Sequence, residues 1–359
     1  MRKLRIAIIV VLILFGLAVG AAAAGLMVLK KKDPFLYAMA IELRQPMRPD
    51  LMYMPENAPK PPRGYLCGAM PLISYALGLA KPIDIENEKS IPVPEGVTVK
   101  TDIEYGRVGD RALLLDLYSP EKLDKPVPGL IFIHGGGWSS GNKKDYKYYT
   151  VRYAKRGFVA ASIGYRFVQE APLPACVEDA KCAVRWMREN AAQFNVDASK
   201  IAVIGGSAGG HLSLMVGYSS NVPELEGTGG HAGVSSAVAA VVDLYGPSDF
   251  TVPGARNNST VLNGMKKTFD EAPDLYRQMS PISHVRKDVP PTLIFQGTLD
   301  NIVPVEQSDM LAEKLKAVGA TYWYDCIPGY PHTMDIFEPV NEHCQQVMNI
   351  FFDKYLLGK

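Results

Sequence analysis

Gly205-Gly206-Ser207-Ala208-Gly209-Gly210 stands directly behind the apolar run Lys200-Ile201-Ala202-Val203-Ile204, and its reading decides the fold. The pattern G-x-S-x-G behind a strand is that of a tight strand-to-helix turn which displays its central serine. Such a turn holds the serine in a strained backbone conformation and lifts its hydroxyl above the end of a sheet. Positions two before and two after must lack side chains, because strand and helix pass in contact there. Gly205 and Gly209 meet that need, and Ala208 and Gly210 keep the first helical turn slim. Standing alone the pattern would read equally well as an ordinary glycine-rich turn. The strand before it and a helix expected over 211–218 argue otherwise.

A second motif, His134-Gly135-Gly136-Gly137-Trp138, follows the apolar strand Gly129-Leu130-Ile131-Phe132-Ile133. Acyl transfer passes through a tetrahedral intermediate whose carbonyl oxygen becomes an anion. Backbone N–H groups held in place beforehand stabilise that anion, and glycines let backbone come close to substrate. An HGGG loop upstream of a G-x-S-x-G turn is a far rarer coincidence than either motif alone.

On these motifs the chain resembles the α/β-hydrolase superfamily, in the hormone-sensitive-lipase-like branch of carboxylesterases that includes bacterial feruloyl- and acetyl-esterase-like enzymes. The resemblance runs from about Val97 to the C-terminus and also draws on Gly297-Thr-Leu-Asp300-Asn-Ile-Val-Pro304 and Gly329-Tyr-Pro-His332. It implies an α/β-hydrolase fold, a mostly parallel central sheet flanked by helices, with the triad in the chain order serine, acid, histidine. Asp300 follows Ser207 at the end of the strand Pro291 to Phe295, and His332 comes next, after the strand Tyr322 to Ile327. Catalytic groups in parallel sheets gather beyond the carboxyl ends of strands, and all three residues occupy such places. Asp243 and Asp249, near the end of the strand Ala237 to Leu244, are rivals to Asp300, which is favoured by the G-x-x-D-x-x-V-P pattern. Among six histidines, His134 and His211 sit inside the two glycine motifs as braces. His231 and His284 lie in loops without a partner motif, and His343 reads as the surface of the C-terminal helix.

Chemistry assigns the roles that the resemblance implies. Neutral His332 accepts the proton of Ser207 during attack and returns it to the leaving group. Asp300 holds the imidazole in the right tautomer. The amides of Gly136, Gly137 and Ala208 form the oxyanion hole, with Gly135 as the substitute if the loop turns differently. No metal or organic cofactor is called for, since neither H-E-x-x-H nor C-x-x-C spacing occurs. Three functions are open: a carboxylesterase acting on short acyl or aromatic esters, either small molecules or polysaccharide-linked; an amide-directed hydrolase such as an arylformamidase or peptidase; and an inactive hydrolase fold used as an interaction module. The stretch before the domain is too short for the propeller that gates prolyl peptidases. The third reading is disfavoured because every catalytic part is present.

Composition is consistent with one large domain: 359 residues, 47% of them hydrophobic. The net charge of +1, from 38 basic against 37 acidic residues, offers no footprint for nucleic acid. From Val97 onward strand-like runs alternate with helical patterns. Over 173–194, Cys176, Ala180, Ala183, Val184 and Met187 fall on one helical face, with Glu178, Arg185 and Glu189 opposite. Five cysteines are an odd number. Cys176 and Cys182 cannot bridge across one helix, where six residues set them ~9 Å apart along the axis. Buried thiols are the expected state for most of the five.

Residues 1–32 are of another kind. A basic head, Met1 to Arg5, precedes an uncharged run from Ile6 to Leu29, closed by Lys30-Lys31-Lys32. About 20 apolar residues span a bilayer core, so a transmembrane anchor is expected; a signal peptide cleaved near Ala21 to Ala24 is the rival. An inside N-terminus would leave the domain extracytoplasmic, anchored or secreted. Residues 33–96 are rich in proline, which forbids long regular elements, yet too apolar for a free tether. They read as a linker or as a cap over the site, ahead of a hydrolase domain over 97–359. A second candidate lid spans 251–280.

Overall fold

In the computed structural model the described residues are 48–62, 64, 83, 91–220 and 222–359. The anchor or signal peptide expected over 1–32, and most of the linker or cap, lie outside them. Among the described residues no helix is long and apolar enough to cross a membrane.

Two long strands, β1 (Val97–Val108) and β2 (Arg111–Pro120), form an antiparallel hairpin that opens the sheet. The chain continues through β3 (Val127–Ile133), α1 (Lys147–Lys155), β4 (Val159–Ile163), α2 (Ala175–Glu189), β5 (Val196–Gly206) and α3 (Ala208–Tyr218). After β6 (Ala240–Leu244) comes an insertion with the short helix α4 (Ser259–Met265). The fold closes with β7 (Thr292–Gly297), α5 (Val305–Val318), β8 (Tyr322–Ile327) and α6 (Glu338–Tyr355). The eight strands lie in the order β1-β2-β4-β3-β5-β6-β7-β8, antiparallel at β1–β2 and β2–β4 and parallel elsewhere.

The strand order explains where a site can form. From β3 the chain steps outward to β4, then crosses back over β3 to lay β5 on its other side. The loops leaving β3 and β5 therefore part to opposite faces and leave a crevice at the strand ends, the switch point of an open parallel sheet. The Gly135 loop and Ser207 flank that crevice, since Ile133 pairs with Gly205 in register.

Strands this apolar are buried on both faces. Leu130 and Phe132 of β3 pack in one cluster with Tyr149 and Tyr153 of α1 and Phe351 and Phe352 of α6. Ile131 and Ile133 pack in the other with residues of α2 and α3. Every residue of α3 is buried, as expected of a helix that is apolar all round. On α2 the predicted inner face is correct, but Arg185 is not on an outer surface. The loop 222–239 folds over it, and its guanidinium pairs with Glu226 at 2.6 Å and donates to the Gly230 carbonyl. His343 is likewise buried, with Nε2 2.6 Å from Asp325 on β8, because α6 turns that face onto the sheet. Cys176, Cys182, Cys326 and Cys344 are free and buried, while Cys67 lies outside the described residues.

Ahead of the hairpin, residues 48–62 run along the far edge of the sheet. Tyr53 makes an antiparallel bridge to Tyr324 of β8, whose N–H donates to the Tyr53 carbonyl at 3.1 Å. Lys316 Nζ and the Tyr322 hydroxyl donate to the carbonyls of Asp50 and Leu51, at 2.6 and 3.1 Å. Leu51 itself is 2% exposed and belongs to the main core, whereas the Tyr53 side chain is 59% exposed. Leu51→Ala should therefore cost about 2–4 kcal/mol in urea unfolding, the usual range for a buried leucine. Tyr53→Ala should cost clearly less, because its bridge is made by backbone.

Candidate active site

Ser207 stands between β5 and α3 at φ 57° and ψ −120°, a region that L-residues occupy only under constraint. Its N–H donates to the Leu244 carbonyl at 2.9 Å, and its own carbonyl accepts from His211 N–H at 3.0 Å. The turn is closed by contacts that no side chain would permit. A Cβ on Gly205 would lie 2.3 Å from the Gly209 carbonyl oxygen, and one on Gly209 only 1.9 Å from that of Ile133.

Three side chains from three strand ends meet at this point. Ser207 Oγ is 2.9 Å from His332 Nε2, and His332 Nδ1 is 2.6 Å from Asp300 Oδ2. A carboxylate only accepts, so Nδ1 carries the proton and Nε2 offers its lone pair to the serine hydroxyl. Asp300 has a fully buried side chain and is fixed from its other side. The N–H groups of Ile302 and Val303 donate to Oδ1 at 2.9 Å each, and Gln296 Nε2 donates to Oδ2 at 3.2 Å. These bonds aim the second oxygen at the imidazole. The rivals are engaged elsewhere: Asp243 accepts from Gly246 N–H at 2.8 Å, and burial pushes its carboxyl well above the usual range. Asp249 accepts from the N–H and hydroxyl of Thr251, at 2.8 and 2.7 Å.

The glycine loop passes over the serine through three successive left-handed residues, Gly136 (φ 104°), Gly137 (φ 58°) and Trp138 (φ 57°). Within this curl the Gly136 carbonyl accepts from Ser139 and Ser140 N–H at 3.1 Å each. The amides of Gly136, Gly137 and Ala208 have no backbone acceptor among the described residues. All three residues line the same cleft as Ser207 and His332.

Two histidines brace the motifs, as their positions led us to expect. His134 stacks on Tyr165 at 4.3 Å and donates through Nδ1 to the Gly135 carbonyl at 2.8 Å. His211 joins loop to elbow: it accepts from the Trp138 indole N–H at 3.2 Å and donates through Nε2 to the Met279 carbonyl at 2.8 Å. His231 and His284 have local partners of their own, Glu189 with the Tyr105 carbonyl, and the Gln278 carbonyl.

The cleft encloses about 1150 Å³ and is walled largely by apolar and aromatic side chains, among them Phe250, Val252, Val261 and Ile336. The insertion read as a candidate lid supplies one wall, from Val252 to Val261. Ile302, 61% exposed, sits at the rim. Residues that no motif singled out complete the floor: Tyr149, Tyr245, Asp335 and Asn341. They come from four places in the chain and only the fold unites them. Among the described residues no cluster of His, Cys, Asp or Glu could hold a metal ion.

The BD-FAE family model matches residues 115–315, more than half of the chain and spanning both glycine motifs and Asp300. The chain belongs to the BD-FAE family. Its fold is that of the α/β-hydrolases. Esterase LipC of Mycobacterium tuberculosis is 34% identical over 237 residues, which cover 64% of this chain and 59% of LipC. The chain thus spans little more than half the length of that relative. Among solved structures, a truncated carbohydrate esterase from gut microbiota is 29% identical with a TM-score of 0.63, covering 75% of this chain and all of that one. The thermophilic esterase Est2 of Thermogutta terrifontis is 27% identical with a TM-score of 0.63, covering 78% of this chain and 96% of its own. Est2 has also been solved phosphoramylated by tabun, at 28% identity and a TM-score of 0.62, covering 73% of this chain and 96% of its own.

His211 links the site to stability. Burial pushes its imidazole from the ordinary 6.5 down to about 4, so the unfolded chain takes up a proton there before the folded one does. Resistance to urea should be highest above about pH 6.5 and fall as pH is lowered toward 4, by on the order of 3 kcal/mol from this group. Urea titrations across that window should show a shallower fall in His211→Gln. An equal slope in both proteins would contradict the assignment.

Proposed function

We propose that this chain is a serine carboxylesterase working through an acyl-enzyme. In this reading Ser207 is the nucleophile, His332 the general base and acid, and Asp300 the residue that orients and stabilises the imidazolium. The amides of Gly136, Gly137 and Ala208 receive the oxyanion. The observation that carries the reading is the unbroken Asp300–His332–Ser207 hydrogen-bond chain, in the same cleft as Gly136, Gly137 and Ala208. Ser207 loses its proton to Nε2 as Oγ attacks the ester carbonyl, and the imidazolium then protonates the departing alkoxide. Water, activated by the same Nε2, releases the acid. Preorganised donors act where charge develops, so the strained loop does its work before substrate arrives.

The cleft lends support to a substrate class. An aromatic and aliphatic wall with an exposed isoleucine at the rim suits short acyl or aromatic esters. The name of one structural relative, a carbohydrate esterase, lends support to polysaccharide-linked esters. We also propose that residues 1–32 form a membrane anchor or signal peptide, that 33–96 link or cap, and that 97–359 form the catalytic domain on the extracytoplasmic side. The support is the uncharged run of bilayer length from Ile6 to Leu29.

Triad members act as a unit, so Ser207→Ala and His332→Ala should each lower kcat on p-nitrophenyl acetate by roughly 10⁴-fold, with the double mutant little worse. Asp300→Asn should cost several orders of magnitude by favouring the wrong tautomer. Asp243→Asn and Asp249→Asn should be much milder, and EDTA should have no effect. A folded Ser207→Ala protein with near wild-type turnover would overturn the reading. For location, removing the residues before Asp33 should release a soluble, active enzyme. Full-length protein found wholly in the soluble fraction with Met1 intact would sink the anchor.

A further inference from the structure

The loop that carries His332 also carries a second acid, three residues on. Asp335 is buried and lines the cleft, and among the described residues no hydrogen bond joins its side chain to Asp300 or Ser207. Instead its two carboxylate oxygens take hydrogen bonds from two tyrosines of distant origin. The Tyr149 hydroxyl of α1 donates to Oδ2 at 2.9 Å, and the Tyr245 hydroxyl donates to Oδ1. Asn341 of α6 closes the group, its amide donating to the Tyr149 hydroxyl at 3.0 Å and to the Asp335 carbonyl at 2.8 Å.

Tyr245 is the member that reaches the reacting centre. It follows β6 directly, at the strained φ of 47°, and its neighbour Leu244 accepts the Ser207 N–H. Its ring meets the His332 imidazole edge-on, with centroids 4.9 Å apart and planes at 65°. The hydroxyl lies so near the elbow that a Cβ on Gly206 would be 2.8 Å from it. The ring of Tyr245 is therefore one wall of the slot in which His332 stands. That wall is packed in the core and fixed at its backbone by the Tyr245 N–H, which donates to the Phe295 carbonyl at 2.7 Å, while the outer end of the ring is held through its hydroxyl by Asp335.

We propose that Asp335 is a positioning residue for the base, acting through Tyr245 to keep the His332 ring at hydrogen-bonding distance from Ser207. The inference rests on the reading of His332 as the general base. Both ring nitrogens of His332 are taken, Nδ1 by Asp300 and Nε2 by Ser207, so Asp300 selects the tautomer. Asp335 sets where the ring sits, because one carboxylate ties the His332 loop to α1 and to the end of β6 together. A buried acid satisfied by two phenols forms a closed network, whose members rigidify one another. An ångström of play in a base costs rate and leaves binding untouched.

The test is kinetic and spectroscopic on the full chain. Asp335→Asn keeps the side-chain shape and one acceptor, and Tyr245→Phe keeps the ring against His332. Each should lower kcat on p-nitrophenyl acetate by about 10- to 100-fold with KM essentially unchanged, and the double variant should be no slower than the slower single. Tyr149→Phe, whose ring does not meet His332, should lose less than Tyr245→Phe. In ¹⁵N-histidine-labelled protein, the downfield proton resonance of His332 Nδ1–H should shift or broaden in Asp335→Asn. Folded Asp335→Asn and Tyr245→Phe proteins with wild-type kcat would overturn the proposal. So would equal losses in Tyr149→Phe and Tyr245→Phe, or a rise in KM alone. If Ser207→Ala and His332→Ala abolish activity while these variants do not, the esterase reading stands and only the positioning role falls.

Discussion

Bare backbone packed against bare backbone, where β3, β5 and α3 cross, is the constraint on which the rest of the molecule depends. The Ile133 carbonyl presses on Gly209 and the Gly209 carbonyl on Gly205, at distances that exclude any side chain. That contact sets the angle at which α3 leaves the sheet, and the angle forces Ser207 into its positive φ. Strain of this kind costs on the order of 1–3 kcal/mol and persists only where surrounding structure over-determines it. Here the over-determination is visible: Ser207 is bonded through both N–H and carbonyl, and α3 behind it is buried on every side.

Around this crossing the polar groups are arranged so that each fixes the next. Asp300 is held by two backbone amides before it meets His332. His211 holds Trp138, which ends the glycine loop, and so ties the two motifs into one unit. Because His211 is buried and neutral, the tie is a matter of dipoles and not of charge, and it avoids the desolvation that an ion pair would suffer there. Further out, Lys143 pairs with Asp116 and with Asp102, the latter at 3.1 Å, and secures the far end of the glycine loop to β2.

What the sequence disclosed and what it withheld divide along a physical line. Strand ends and glycine turns are local, so the run ending at Ile133, the elbow at Ser207 and the strand Tyr322–Ile327 could be read directly. Chain order then picked out Asp300 and His332, whose side chains meet Ser207 within hydrogen-bonding distance. Asp335, Tyr149 and Tyr245 carry no local pattern. They become neighbours only when α1, the end of β6 and the last loop converge. Arg185 and His343 are buried against their surface reading for a related reason. A charged residue opposite an apolar face reads as solvated unless one knows that a loop, or the sheet itself, will cover it and bring a Glu226 or an Asp325.

The attachment of residues 48–62 along β8 has a further meaning for how the protein keeps to itself. An open sheet has two edges, and each presents unpaired N–H and carbonyl groups that invite another strand. The β1 edge defends itself: its register shifts twice, and Lys100, Asp102, Glu104 and Arg107 stud it with charge. β8 has no such guard in its own sequence, being Tyr-Trp-Tyr-Asp-Cys-Ile and buried throughout. The bridge at Tyr53 and the side-chain anchors at Asp50 and Leu51 stand in for it. A chain cut back to Val97 would keep Ser207, Asp300 and His332 and yet expose an aromatic strand edge to a second copy of itself, inviting self-association.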